Sequence, residues 1–136
     1  MVQPRVGVAS LVINEGRLLL GRRNKFDEAL SWQLPGGFMA QGESVFQAAV
    51  RLAEAKAGVV ICPLQQGPFT NNIFPDQSHT VSLYVLAELQ SGQSKDRMAD
   101  GWQWFALDDL PEPLFLPLQL LLVHHSNWLE SVVKFK

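Results

Sequence analysis

The chain has 136 residues, 47% of them hydrophobic and 18% charged, which fits one globular domain of ordinary size, about 100–200 residues, and excludes a disordered or fibrous chain. A net charge of −2 leaves no basic field over the molecule and argues against duplex nucleic acid as the main partner. The charge is unevenly spread: residues 1–56 hold seven Lys/Arg against five Asp/Glu, and the remainder holds four against eight, so an anion site is expected in the first half.

In chain order, residues 5–13 (RVGVASLVI) are apolar and β-branched, followed by the turn Asn14-Glu15-Gly16 and by residues 17–22 (RLLLGR), the pattern of a β-hairpin. The start has neither the basic flank nor the cleavage site of a secretory leader. Residues 23–31 are polar and mixed and predict a loop carrying part of the basic cluster Arg22, Arg23 and Lys25. Trp32–Leu34 is expected as a short strand that Pro35-Gly36-Gly37 stops. Ser44 with Gln47 three residues later forms a capping box, and Gly58 is a stop, which predicts a helix between them. Cys62, between apolar stretches, is expected as a buried small hydrophobe; alone, it cannot form a disulfide within the chain. Strands are expected at 67–74 and 79–89 around the turn Pro75-Asp76-Gln77-Ser78, and another at 102–106. Pro117 suits the first turn of a last helix running to about residue 133. The run LFLPLQLLLV at 114–123 is too short to span a bilayer, so a soluble, cytoplasmic protein without membrane contact is expected. Strands, a central helix, more strands and a terminal helix give an α/β sandwich in one domain, 1–136, rather than a parallel βαβ repeat.

Residues 37–59, GFMAQGESVFQAAVRLAEAKAGV, resemble the Nudix box, Gly-x5-Glu-x7-Arg-Glu-U-x-Glu-Glu-x-Gly-U, with U a bulky aliphatic residue. Gly37, Glu43, Arg51, Gly58 and Val59 fall in register without a gap. The approach WQLPG, the LLLGRR run and the Trp102-to-Pro111 segment are also similar to the family, so the resemblance to a Nudix (MutT-like) hydrolase covers nearly the whole chain. It implies an α/β/α sandwich with a mixed sheet, the box helix on one side and the C-terminal helix on the other. It also implies hydrolysis of nucleoside diphosphates linked to another moiety, with Mg²⁺ or Mn²⁺ held by box glutamates.

The box is degenerate. Leu52, Ala55 and Lys56 occupy the three positions where the family places metal-binding glutamates. On a helical wheel Phe46, Val50, Ala53 and Ala57 share the expected core arc, Glu43, Gln47, Arg51 and Glu54 make a polar stripe, and Val45, Ala48, Leu52 and Ala55 lead to Lys56 along the former metal arc. Glu43 and Arg51 are expected to pair, as the family uses these positions, and Glu54 to make an exposed ion pair with Arg51. Glu43, Glu54 and Asp109 are the carboxylates left as weak catalytic candidates, with Glu54 the remaining candidate metal ligand. Substrate contacts are assigned to Arg22, Arg23, Gly36, Gly37, Lys56 and His79, with Asn71 assisting His79 on a base and Phe38 or Phe74 stacking on it; the plainer alternatives are a solvated basic loop, glycines that only make the turn, a solvated lysine at the helix end and aromatics that belong to the core. Asp108, Asp109 and Glu112 could supply a carboxylate from the loop before the last helix, although such a stretch also caps turns, and His124-His125, adjacent on a helix, are a poor metal pair.

Two readings follow. One is a nucleotide-binding Nudix protein whose metal-dependent hydrolysis is weak or lost. The other is an active pyrophosphohydrolase with compensating acidic ligands. The apolar excess of the last helix (Leu118, Leu121, Leu122, Trp128, Leu129, Val132, Val133) or a sheet edge is expected to make a homodimer.

Overall fold

The computed structural model describes residues 3–22, 31–90 and 98–133. Arg23 and Lys25 of the basic cluster lie outside them.

Strand β1 (Arg5–Asn14) turns back into β2 (Arg17–Arg22) through Glu15 and Gly16, both at positive φ (54° and 75°), the geometry of a two-residue hairpin turn. Short β3 (Trp32–Gln33) pairs with β2, and β4 (Gly36–Phe38) pairs antiparallel with the first half of β1. Helix α1 (Val45–Ala57) follows, then β5 (Ile61–Ile73), β6 (His79–Leu89), β7 (Trp102–Ala106) and α2 (Leu116–Val133). The strand order is β3-β2-β1-β6-β5, with β4 on β1 and β7 on β2; the one parallel pairing is β1 with β6. The sheet is therefore mixed, and its faces carry one helix each. Val8, Val12, Val85 and Ala87 pack with α1, whereas Leu11, Ile13, Tyr84 and Leu86 pack with α2. That is the α/β/α sandwich implied by the resemblance.

The helix ends are as the sequence prescribes. Ser44 accepts from the Gln47 N–H, the Gln47 side chain accepts from the Ser44 N–H, and Gly58 closes α1 in the left-handed conformation.

Four expectations need correction. First, Gly36 and Gly37 do not end the sheet; they are strand β4. A Cβ on Gly36 would stand 2.6 Å from the Val8 carbonyl oxygen, and one on Gly37 would stand 2.8 Å from Leu52 Cδ2, so paired glycines let this segment pass between β1 and α1. Second, β5 begins at Ile61, six residues before the expected start. It tolerates Pro63 and Pro68 because it lies at the sheet edge and is bulged between Pro63 and Gln65 and between Gln66 and Phe69. Cys62 on this strand is exposed, not buried; it lies on the face opposite buried Ile61, beside exposed Glu88. Third, the core face of α1 is Ala48, Ala49, Leu52, Ala53 and Ala57; Phe46 is 40% exposed. The small alanines let the helix settle closely onto the sheet, which rotates its buried stripe across the arc that the wheel left for a site. Fourth, the apolar excess of α2 is used inside the fold. Leu118, Leu121 and Leu129 are buried, and Leu122, Trp128, Val132 and Val133 pack on the same cluster, so most of this excess is covered by the fold while Val123 stays exposed. It can cover so much because it breaks at His125 (φ −133°, ψ 29°), which re-aims its second half. Trp128 then sits where a Cβ on Gly67 would be, 2.6 Å away.

Tyr84 ties the layers together: its hydroxyl, held between Thr70 Oγ1 at 2.9 Å and the Pro117 carbonyl at 3.0 Å, links β5, β6 and the start of α2. No helix among the described residues is long and apolar enough to cross a membrane.

These contacts rank two substitutions. Gly36→Ala drives a methyl into backbone and should cost about 1–3 kcal/mol, whereas Gly37→Ala meets the movable end of Leu52 and should cost less. Urea unfolding of both variants tests the order; equal midpoints would contradict the close passage described for β4.

Candidate functional site

The β4–α1 loop is fixed by one ion pair. The Arg51 guanidinium donates from Nε to Glu43 Oε2 at 2.6 Å, and from Nη2 to Glu43 Oε1 at 2.9 Å and to the Phe38 carbonyl at 3.0 Å. Glu43 Oε1 also accepts the Ala40 N–H at 2.9 Å. Both oxygens of Glu43 are thus engaged, and the bidentate fork that Arg provides holds the loop against the helix. The hydrogen bond from Arg51, then that from the Ala40 N–H, lower the Glu43 carboxyl to about 2. A carboxylate so committed is a positioning group, not a base. The Arg51–Glu54 pair expected from the sequence does not form; the guanidinium is spent on Glu43 and Phe38, and Glu54 stands exposed.

The three positions at issue separate on the fold. Leu52 is 4% exposed and lies over Gly37, inside the core, while Ala55 and Lys56 are at the surface. Mg²⁺ and Mn²⁺ need several oxygen ligands converging on one point. The donors present do not fit that demand: a leucine, an alanine and an ammonium replace three carboxylates, and Glu43 is occupied. Among the described residues no three His, Cys, Asp or Glu side chains gather into a metal-holding group.

Asp109 cannot fill the gap. Its N–H closes a turn onto the Ala106 carbonyl, beyond the end of β7 that pairs with Arg17, whereas the opposite end of β7 pairs with Gly21. Five residues of extended chain, about 17 Å at 3.4 Å each, separate these ends. Asp108 shares a shallow depression with Gly16 and Glu130 at that far end.

Residues 98–101 form a short connection that touches both α1 and β2: the Ala99 N–H donates to the Ala57 carbonyl at 2.8 Å, and the Arg22 N–H donates to the Gly101 carbonyl at 3.3 Å. The turn thus joins the backbones of α1 and β2, but the two cations project to different sides: the Arg22 side chain lies with Trp32 on the face that packs with α2, and Lys56 stands on α1 at the other face. Arg22 lies over the Trp32 ring at 5.6 Å, a cation–π contact that sequence reading did not reveal. Trp32 is itself braced edge-on by Phe105, with centroids 5.0 Å apart. Gly36 and Gly37, assigned to substrate by sequence, have a packing use in the sheet.

The residues expected to recognise a base are otherwise engaged. His79 Nε2 is 2.5 Å from Asn71 Oδ1, on the edge hairpin of β5 and β6. Phe38 carries the Arg5 guanidinium 3.4 Å above its ring, and Phe74 stacks on Phe115 with centroids 5.6 Å apart. His124 and His125 straddle the break in α2.

Known proteins agree with this architecture. The NUDIX domain family matches residues 2–127. A MutT NUDIX hydrolase of solved structure from Burkholderia pseudomallei is 33% identical, with a TM-score of 0.77 over 91% of this chain and 99% of that one. A Nudix hydrolase of Bacillus subtilis, YvcI, is 33% identical over 85 residues, 58% of this chain but 53% of its own length, so the match spans about half of that relative. An ADP-ribose pyrophosphatase of Methanocaldococcus jannaschii is 26% identical over 118 residues, 84% of this chain and 69% of that protein.

The loop clamp sets a pH dependence. With the folded Glu43 carboxyl at about 2 against its ordinary 4.5, the pair stabilises fully above pH 4.5 and its contribution disappears as pH falls towards 2. Glu43→Gln should therefore flatten the fall of the urea midpoint across that window. Parallel curves for wild type and variant would show that the pair contributes nothing.

Proposed function

We propose that this chain, which belongs to the Nudix family, binds a nucleotide or nucleoside-diphosphate-linked small molecule through side-chain cations, with metal-dependent pyrophosphate hydrolysis weak or lost. The observation that carries the reading is the flank of α1: Leu52 is buried against Gly37, Ala55 has no donor, and Lys56 stands exposed in the last turn of the helix. In a metal-dependent hydrolase a hard cation would neutralise the charge that grows on phosphate oxygens as water attacks. An ammonium at the edge of an apolar arc repels such a cation and attracts phosphate directly. Lys56 supplies a point charge with three donors. An exposed ammonium of this kind can bind a phosphate directly. The name of the archaeal relative, an ADP-ribose pyrophosphatase, supports the ligand class.

Titration of ADP-ribose and of a nucleoside triphosphate, with and without EDTA, tests the reading on wild type and Lys56→Glu. Affinity should survive EDTA, weaken with salt as exposed charges are screened beyond about 8–10 Å, and fall roughly tenfold or more in Lys56→Glu, the scale of one charged hydrogen bond. Affinity abolished by EDTA, or unchanged in the variant, would contradict it.

Calorimetry supplies the second test. Mg²⁺ should bind no more tightly than about millimolar, as expected for a site with few oxygen ligands. Micromolar Mg²⁺ or Mn²⁺ affinity that Glu54→Gln removes would establish the active pyrophosphohydrolase instead.

A further inference from the structure

Strand β5 is the outermost strand of the sheet on its side, and among the described residues no strand pairs with its outer edge. Its last part, Phe69 to Ile73, is unusual for an unpaired edge. Phe69 and Ile73 are 60% and 61% exposed, on the face opposite buried Thr70 and Asn72. The register across the sheet places Leu83 beside Phe69, Val81 beside Asn71 and Val6 beside Val81, so the apolar surface continues inward through half-buried Leu83 and Val81 to exposed Val6. Between Phe69 and Leu83 the one carboxylate is Asp76, in the turn, where it accepts from the Ser78 hydroxyl and N–H; the one imidazole is His79, engaged with Asn71. Natural edge strands are ordinarily protected by charge, proline or a bulge. Here the protecting devices stop at Pro68, and the next proline is Pro75, in the hairpin turn.

We infer that this edge is the interface with a second copy of the chain, the two β5 strands pairing antiparallel about a two-fold axis at Asn71. Three observations single out this occupant and register. A two-fold axis requires a surface complementary to itself, and a strand free of ionised side chains from 69 to 73 meets its own copy without repulsion. With Asn71 on the axis, Phe69 lies directly opposite Ile73 of the other copy, and Ile73 opposite its Phe69, so both exposed apolar side chains gain a cross-strand neighbour. This register also keeps every paired residue between Pro68 and Pro75, where each backbone N–H is available. Moving the axis to Thr70 or Asn72 sets a proline or an asparagine against the apolar residues. The contact is small beside the roughly 800 Å² per partner of a standard interface, so it makes a dimer that dissociates on dilution. It does not depend on the nucleotide reading, since no residue of the 98–101 turn or of α1 takes part.

Sedimentation equilibrium from about 1 µM to about 300 µM, a range that spans weak association, reads the outcome. Wild type should pass from monomer to dimer. Ile73→Lys and Phe69→Lys, at sites too exposed to disturb the fold, should each weaken dimerisation at least tenfold, whereas Val123→Lys, at an equally exposed apolar site on α2, should leave it unchanged. Register is tested by Asn71→Cys in a Cys62→Ser background. Opposed Cα atoms in an antiparallel pair are about 4.5–5.5 Å apart, within disulfide reach, so mild oxidation should yield a covalent dimer. A wild type that remains monomeric at the highest concentration would overturn the inference, as would edge-lysine variants that associate like wild type.

Discussion

The passage of β4 between β1 and α1 is the constraint on which the rest of this molecule depends. Two successive residues without side chains, Gly36 and Gly37, put backbone where any Cβ would strike Val8 or Leu52. That closeness has two consequences. It brings α1 onto the sheet along a stripe of alanines, and it brings the Phe38 carbonyl within reach of Arg51, whose guanidinium then also grips Glu43. One fork of hydrogen bonds thus fixes the loop entry, the helix and the strand relative to each other.

The same packing decides what the box helix can do. A helix seated through Ala48, Ala49, Leu52 and Ala53 has its former metal arc divided between the interior and the surface. Leu52 belongs to the interior and completes the cover over Gly37; Lys56 belongs to the surface, in the last turn of the helix. On the proposed reading, positive charge at this place comes from the Lys56 ammonium instead of from a metal ion. The rigid clamp at Glu43 and Arg51 serves either arrangement, because it fixes backbone and takes no part in holding phosphate. It survives, on this reading, as scaffold.

At the other face the sheet is closed by α2, and the break at His125 is what lets eighteen residues of strongly apolar helix be absorbed by one curved surface. Trp128 reaches β5 through the space left at Gly67, and Tyr84 reaches back to the Pro117 carbonyl. An apolar excess that reads as an interface along the sequence becomes a lid on the core. The surface left open lies elsewhere, on the far part of β5, where neither helix extends over Phe69 and Ile73.

The sequence by itself determined the local features and the family. The hairpin at Glu15-Gly16 follows from two residues that accept positive φ, the limits of α1 follow from the Ser44–Gln47 box and Gly58, and the box register follows from spacing. Glu43 and Arg51, eight residues apart, were legible as a pair because the motif fixes both. What only the tertiary structure decided was which face each side chain presents and which distant segments meet. The helical wheel assigned Phe46 to the core because it weighs hydrophobicity; the sheet selected the alanines because a close approach admits only small groups. Cys62 and the apolar residues of β5 lie on an edge, a position that no local pattern encodes. The ends of α1 and β2 are joined by one turn, in which the Ala99 N–H donates to the Ala57 carbonyl and the Gly101 carbonyl accepts the Arg22 N–H, far along the chain, and Asp109 lies beyond the other end of β7. Periodicity records how a segment divides its own surface, whereas a site depends on how several segments divide the space between them.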